Sequence, residues 1–219
     1  MTDPLMTPNA SSDHSADAQA SATHGFAWYV ALALGLALFV RFFIAAPYVV
    51  SGDSMLPTFE NWDYLITDRA SYGFSAPERG DVIVFCLPGT GECSFFKRLL
   101  RQEWGGPRTL IKRVIGLPGE TVSVEGPTVR IVNTEHPDGF VLDEPYLASE
   151  NLGGPTGTTV TLEDGEYFVL GDNRRVSSDS RVWGTLPAEN IIGHVLLRLF
   201  PFNAIGFLPG DASYSPQGE

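Results

Sequence analysis

Positive charge is scarce in this chain: 14 Lys and Arg stand against 26 Asp and Glu, a net charge of -12. No basic face can then compete with the counterions condensed on a phosphate backbone, so a nucleic-acid binder is excluded. Cysteine is nearly absent. Cys86 and Cys93 are the only two, too few for a disulfide scaffold or a four-cysteine metal site. Histidine in a catalytic setting is missing as well. His14 and His24 lie in the N-terminal tail or at its edge, His136 sits in a Pro-Asp-Gly turn and His194 in an apolar run. None has a neighbourhood that suggests the base of a Ser-His-Asp triad. The first 24 residues lack Lys and Arg and hold almost no large apolar side chain. That excludes the n-region of a signal peptide. Such a segment buries too little surface to offset its ordering entropy, so residues 1–24 are predicted to be a disordered acidic tail. No internal repeat is found.

What is present suits one sizeable domain plus an anchor. At 219 residues with 23 Gly, 16 Pro and 18% charged residues, the composition favours a turn-rich β protein over a helical bundle. Residues 26–46 read FAWYVALALGLALFVRFFIAA. At about 1.5 Å per residue this run is roughly 32 Å long, against a hydrocarbon core of about 30 Å. Trp28 and Tyr29 suit one interfacial belt, Tyr48 the other, and Arg41 is close enough to the far end to snorkel. Residues 25–46 are therefore predicted to be a transmembrane helix. The run is too long and unbroken for a core helix, and longer than a signal-peptide h-region. Arg41 alone would place the C-terminal side in the cytoplasm by the positive-inside rule.

Beyond residue 47 the pattern is strands and turns. Strands are predicted over residues 48–50, 63–67, 82–85, 110–116, 121–132, 166–170 and 191–200. Residues 123–165 are set apart as a smaller inserted β region. His194, Arg198 and Pro201 argue against a second span in the last run. Cys86 and Cys93 bound a hairpin-like loop. Outside the cytosol they would pair, worth about 2 to 3 kcal/mol on the loop-entropy model, with two unpaired thiols as the alternative. Residues 95–101, FFKRLLR, suit a short helix or an edge strand.

The stretch that attracts attention is residues 51–58, SGDSMLPT. Pro57 biases Leu56 toward extended geometry, so Ser54 is not in mid-helix. A serine is a weak nucleophile without a base beside it. With no suitable histidine, a lysine can serve if its pKa falls. A free lysine titrates near 10.4, and moving it to about 8 takes roughly 3 kcal/mol of differential desolvation. Lys112 has an apolar wall in sequence, Leu110 and Ile111 before it, Val114 and Ile115 after it. Lys97, in FFKRLL, has a similar one, and spacing alone does not separate the two. Either would be ordinary as an exposed residue on an amphipathic strand.

Four stretches taken in order carry a resemblance. They are APYVV with GDSMLPT (residues 46–50 and 52–58), RGDVIVF (79–85), KRVIGLPGE (112–120), and GDNR with Ser177, Asp179, Ser180 and Arg181 (171–181). Together they resemble the bacterial type I signal peptidases, membrane-anchored Ser/Lys leader peptidases, over most of residues 40–208. The resemblance implies a mainly β fold: a single N-terminal transmembrane helix followed by an extracytoplasmic antiparallel β-sheet or barrel-like catalytic domain at residues 47–219. It implies that Ser54 is the nucleophile and that Lys112, not Lys97, is the general base, because Lys112 is followed by RVIGLPG. Ser177 corresponds to the serine that holds the lysine amine. Asp172, Asn173, Asp179 and Arg181 correspond to the polar cluster bracing the site, the last two as a structural pair. Pro47, Val49, Val50, Met55 and Ile111 are the expected substrate groove.

The implied activity is removal of signal peptides from exported preproteins after small residues, through an acyl-enzyme and without metal or cofactor. The implied partners are those signal peptides, the lipid bilayer and the secretion translocon. The implied location is the cell membrane, with the catalytic domain outside, which overrides Arg41. The alternative is an inactive, membrane-tethered homologue that binds signal peptides without cutting. The chain departs from the family at Arg175-Val176, where Asp-Asn is common. It departs again at Gly52, where some members carry a serine that donates to the oxyanion hole, leaving the Ser54 N–H and another main-chain donor to form it. The segment carrying Cys86, Cys93, Lys97 and Trp104 reads as an insertion between those motifs, with no counterpart placed for it.

Overall fold

The computed structural model describes residues 14–39, 44–89, 108–212 and 214. The chain divides into two compact units, Met1–Phe43 and Ile44–Glu219. The first contains helix α1 (His14–Phe39). It starts inside the stretch expected to be a disordered tail. Alternating alanines at 16, 18, 20 and 22 explain this, since alanine is the best helix former and needs no burial to act. Among the described residues no helix is long and apolar enough to cross a membrane. The apolar part of α1, residues 26–39, is about 21 Å long against about 30 Å of hydrocarbon. The expected span over 25–46 also drew on Arg41 and its neighbours, which lie outside the described residues. It drew as well on Ala45 and Ala46, which instead open the first strand.

The second unit is built from β1 (Ala45–Val49), β2 (Tyr64–Asp68), β3 (Val82–Cys86), β4 (Thr109–Gly116), β5 (Thr121–Glu125), β6 (Thr128–Val132), β7 (Phe140–Val141), β8 (Thr158–Thr161), β9 (Glu166–Leu170), β10 (Leu186–Pro187), β11 (Ile191–Phe200) and β12 (Gly206–Phe207). They form two antiparallel sheets. The larger runs β1-β2-β11-β3-β4-β9-β10, with β12 paired to β11, and the smaller runs β7-β6-β5-β8. The run expected as one strand over 121–132 is a hairpin, β5 and β6. Gly126 turns it with φ 60°, a conformation that a side chain disfavours.

Strand β3 is apolar at every position because it is covered on both faces. Side chains alternate across a strand, so Val82 and Val84 join Val50, Met55, Phe59, Leu65 and Val195. Ile83 and Phe85 join Val114, Tyr167 and Val169 on the other side. The smaller sheet closes on the larger through Val122, Ile131, Ile115 and Phe168. Gly116 permits that approach, since a Cβ there would lie 2.4 Å from Val122 Cγ2. Cys86, at the end of β3, is disulfide-bonded. The chain's other cysteine, Cys93, lies outside the described residues, as do Lys97, Trp104 and the FFKRLLR segment.

His194 has a structural role on β11. Its Nε2 lies 2.9 Å from the Asp211 carboxylate, and its ring stacks on Tyr72 with centroids 5.9 Å apart. Burial opposes its charge, but the hydrogen bond and charge of Asp211 hold its pKa above the ordinary value. The C-terminal segment is thereby pinned to the large sheet.

Candidate active site

Ser54 lies in a turn that follows β1. Leu56 N–H donates to Asp53 O (3.3 Å) and Phe59 N–H to Met55 O (2.9 Å). Met55 and Phe59 are fully buried and root this turn in the core beneath the sheet. Met55 was expected in the substrate groove. It is instead a core residue, because the turn points it inward beside Val82 and Val84. The loop after β9 clamps the same turn from outside. Asn173 N–H donates to Ser54 O (3.0 Å), and Thr58 Oγ1 donates to Asp172 Oδ2 (2.5 Å). From further off, Asn151 Nδ2 donates to Leu56 O (3.1 Å).

Strand β4 brings Lys112 to this turn. Its side chain is buried, and Nζ lies 2.7 Å from Ser54 Oγ and 2.8 Å from Ile111 O. Burial lowers its pKa from the ordinary 10.5 to about 8, while the charges of Asp179 and Asp172 partly restore it. Both of those carboxylates are engaged by arginines. Arg113 binds Asp172 through Nε (2.9 Å) and NH2 (2.6 Å), with neither side chain exposed. Arg181 binds Asp179 at 2.8 Å and also donates to the Gly153 and Arg174 carbonyls. Asp179 in turn accepts from Gly171 N–H (3.1 Å). Among the described residues no carboxylate is thus left to pair with the amine, whose contacts are Ser54 Oγ and Ile111 O.

Gly171 lets these parts meet: a Cβ there would lie 2.2 Å from Ser177 Oγ and 2.4 Å from Ser54 O. Ser177 Oγ is buried without a hydrogen-bond partner among the described residues. The hydrogen bond expected from Ser177 to the lysine amine is not formed. Nζ is instead held by Ser54 and Ile111, and the serine hydroxyl lies over Gly171. The remaining expected residues, Asp172, Asn173, Asp179 and Arg181, converge on the turn or on Gly171. Sequence reasoning missed Arg113, Thr58, Asn151 and the Arg174–Glu144 pair. Arg113 left a signal, since a charge inside LIKRVIG demands a buried partner. Thr58 and Arg174 lie inside GDSMLPT and GDNR, which do not reveal their partners, whereas Asn151 and Glu144 come from remote segments and left no signal.

A cavity beside Ser54 and Lys112 is lined by Tyr48, Val50, Leu65, Val84, Leu110 and Ile111, among others. Of the expected groove residues, Val49, Val50 and Ile111 line it and Pro47 does not. In the first half of β4, Thr109 to Lys112 pair with β3, whereas pairing with β9 begins only at Arg113. Among the described residues, one backbone edge of β4 beside the cavity is thus without a strand partner. Among the described residues no acceptor engages the Ser54 N–H. Among the described residues the arrangement combines a hydroxyl, a buried amine within hydrogen-bonding distance, an N–H with no acceptor and a mainly apolar cavity.

Comparison with known proteins gives the family. The model of the family described as signal peptidase, peptidase S26, matches residues 24–200. A probable signal peptidase I-1 of Synechocystis sp. is 43% identical over 188 residues, which cover 84% of this chain and 86% of the relative. A signal peptidase I of Leptolyngbya laminosa is 40% identical over 187 residues, covering 84% of this chain and 83% of the relative. A signal peptidase I of Bacillus amyloliquefaciens is 35% identical, covering 80% and 83%. The chain belongs to the peptidase S26 family and is a peptidase of the signal peptidase I type.

Proposed function

We propose that the chain is a membrane-bound serine endopeptidase that removes signal peptides after small residues, of the Ala-x-Ala kind, with Ser54 as nucleophile and Lys112 as general base. The observation that carries this reading is the 2.7 Å approach of Lys112 Nζ to Ser54 Oγ, at a lysine whose burial lowers its pKa to about 8. The neutral amine takes the Ser54 proton as Oγ attacks the scissile carbonyl. The developing oxyanion is met by the Ser54 N–H. Lys112 then gives its proton to the leaving amine, and water releases the mature protein from the acyl-enzyme.

The substrate lies as an added strand between residues 48–50 and the open edge of β4. Tyr48, Val50 and Ile111 narrow the groove to admit alanine and reject bulk. The apolar sequence from Phe26 to Ile44 tethers the enzyme to the cell membrane by a single pass, with the catalytic unit outside and beside the secretion translocon. In support, Phe26, Trp28, Leu34 and Leu36 on α1 are exposed by 60% or more, and a bilayer would cover such side chains.

The test is an exported precursor with an Ala-x-Ala site, incubated with the full chain in lipid vesicles. Wild type releases the mature protein and a serine acyl-enzyme is trapped at Ser54, whereas Ser54→Ala does neither. Undiminished cleavage by Ser54→Ala would overturn the assignment.

A further inference from the structure

The turn that presents Ser54 is held on its C-terminal side by Asn173 and Asp172. Its N-terminal side, Ser51 to Asp53, is exposed, and Gly52 adopts φ 104°. Such a segment has little of its own to fix it, since glycine ranges freely over both signs of φ. One side chain engages it twice. Asn61 Oδ1 accepts from Gly52 N–H at 2.6 Å, and Asn61 Nδ2 donates to Asp53 Oδ1 at 2.7 Å.

The fold positions Asn61 for this. Val50 N–H donates to Asp63 O (2.9 Å) and Trp62 N–H donates to Val50 O (3.0 Å). These bonds lay the 60–63 turn against the end of β1. Asp63 N–H donates to Glu60 O (3.2 Å), and Trp62 at the third position has φ 75°, the geometry of a type II turn. That turn leaves Asn61 at its second position, facing the Gly52–Asp53 segment.

We infer that Asn61 is a positioning residue of the hydrolytic site: its carboxamide bridges Gly52 and Asp53 and so fixes the peptide whose N–H, at Ser54, meets the oxyanion. This rests on the reading of Ser54 as nucleophile. The plane of the 53–54 peptide is set between two anchors, Asn61 on one side and the Asn173 N–H bond to Ser54 O on the other. A donor aimed at developing charge acts only when held in place beforehand. The conformation that the bridge holds at position 52, φ 104°, suits glycine.

The experiment compares kcat and KM on the Ala-x-Ala precursor for Asn61→Ala, Asn61→Asp, Asp53→Asn and the Asn61→Asp/Asp53→Asn double variant, with Ser54→Ala alongside. Asn61→Ala should lower kcat roughly 10- to 100-fold, a partial loss of one oriented donor, with KM within about twofold. Asn61→Asp sets two carboxylates face to face and should lose as much. The double variant restores a donor opposite an acceptor and should recover kcat to within about threefold of wild type, a coupling that only contacting residues give. The pH dependence of kcat should not move in any of them, because Lys112 is untouched. An unchanged kcat in Asn61→Ala, a loss confined to KM, or a double variant no better than Asn61→Asp would overturn the inference. If Ser54→Ala cleaves, the reading beneath it fails instead, and the two failures are told apart by that control.

Discussion

Replacing Lys112 with methionine is expected to abolish cleavage and, in the same variant, to raise stability at neutral pH. Without a base, Ser54 keeps its proton, and the loss should reach about three to four orders of magnitude in kcat. Methionine has a similar length and fits the same apolar wall. The stability change has the opposite direction for a reason that follows from linkage. Unfolded, the lysine holds its proton up to its ordinary pKa of 10.5, and folded it does so only to about 8. Below pH 8 both states are protonated, and the folded state bears the full cost of burying the ammonium, about 3 kcal/mol. Between pH 8 and 10.5 the unfolded state binds more protons, so wild-type stability rises with pH. Thermal melting at pH 7 should therefore favour Lys112→Met by several degrees, and the gap should close toward pH 10. A variant that is both inactive and less stable at pH 7 would mean that Lys112 is held charged.

The second large effect concerns the pair beneath the nucleophile turn. Arg113 and Asp172 are both fully buried and joined by two hydrogen bonds. Arg113 also donates to Gly80 O (3.0 Å) and to Gly210 O, and stacks 3.9 Å over the Tyr146 ring. Removing either partner leaves a buried charge without compensation, at a cost of about 3–5 kcal/mol. Arg113→Met and Asp172→Leu should each show that loss in denaturant unfolding. The double variant should recover most of it, because an apolar pair of similar volume needs no counter-charge. Activity should not recover with it. Thr58 donates to Asp172, and without that acceptor the turn carrying Ser54 loses one of its outer clamps. Additive losses in the double variant would show that the two charges act independently.

The large sheet was legible where its strands are buried on both faces. VIVF in β3 is such a run, whereas the closing run in β11 is only partly buried and was told from a second membrane span by His194, Arg198 and Pro201. The hairpin of β5 and β6 was blurred because Gly126 interrupts an alternation that otherwise continues. The first helix begins before the expected span, and Ala45 and Ala46 fall outside it, for different reasons. Hydropathy says nothing of the alanine-driven helix from His14, and it does not register that Ala45 and Ala46 are taken into β1 by pairing with Asp68 and Thr67. At the site, Ser54 was marked by its place before Pro57, but Lys112 and Lys97 had similar apolar walls, and only the resemblance through RVIGLPG chose Lys112. Met55 was misjudged because the direction of a side chain in a turn depends on contacts with Val82 and Val84 that no local pattern contains. Asn61 was invisible for a related reason. Its two bonds depend on a turn conformation, φ 75° at Trp62, which tryptophan does not advertise.

The central claim is that a lysine kept dry beside Ser54 is neutral enough to act as a base. The pH dependence of kcat/KM for the free enzyme reports that group directly. The account predicts a rising limb with an apparent pKa of about 8, in line with burial of Lys112. A limb near 10.5, the ordinary lysine value, or a profile flat across this range would contradict it.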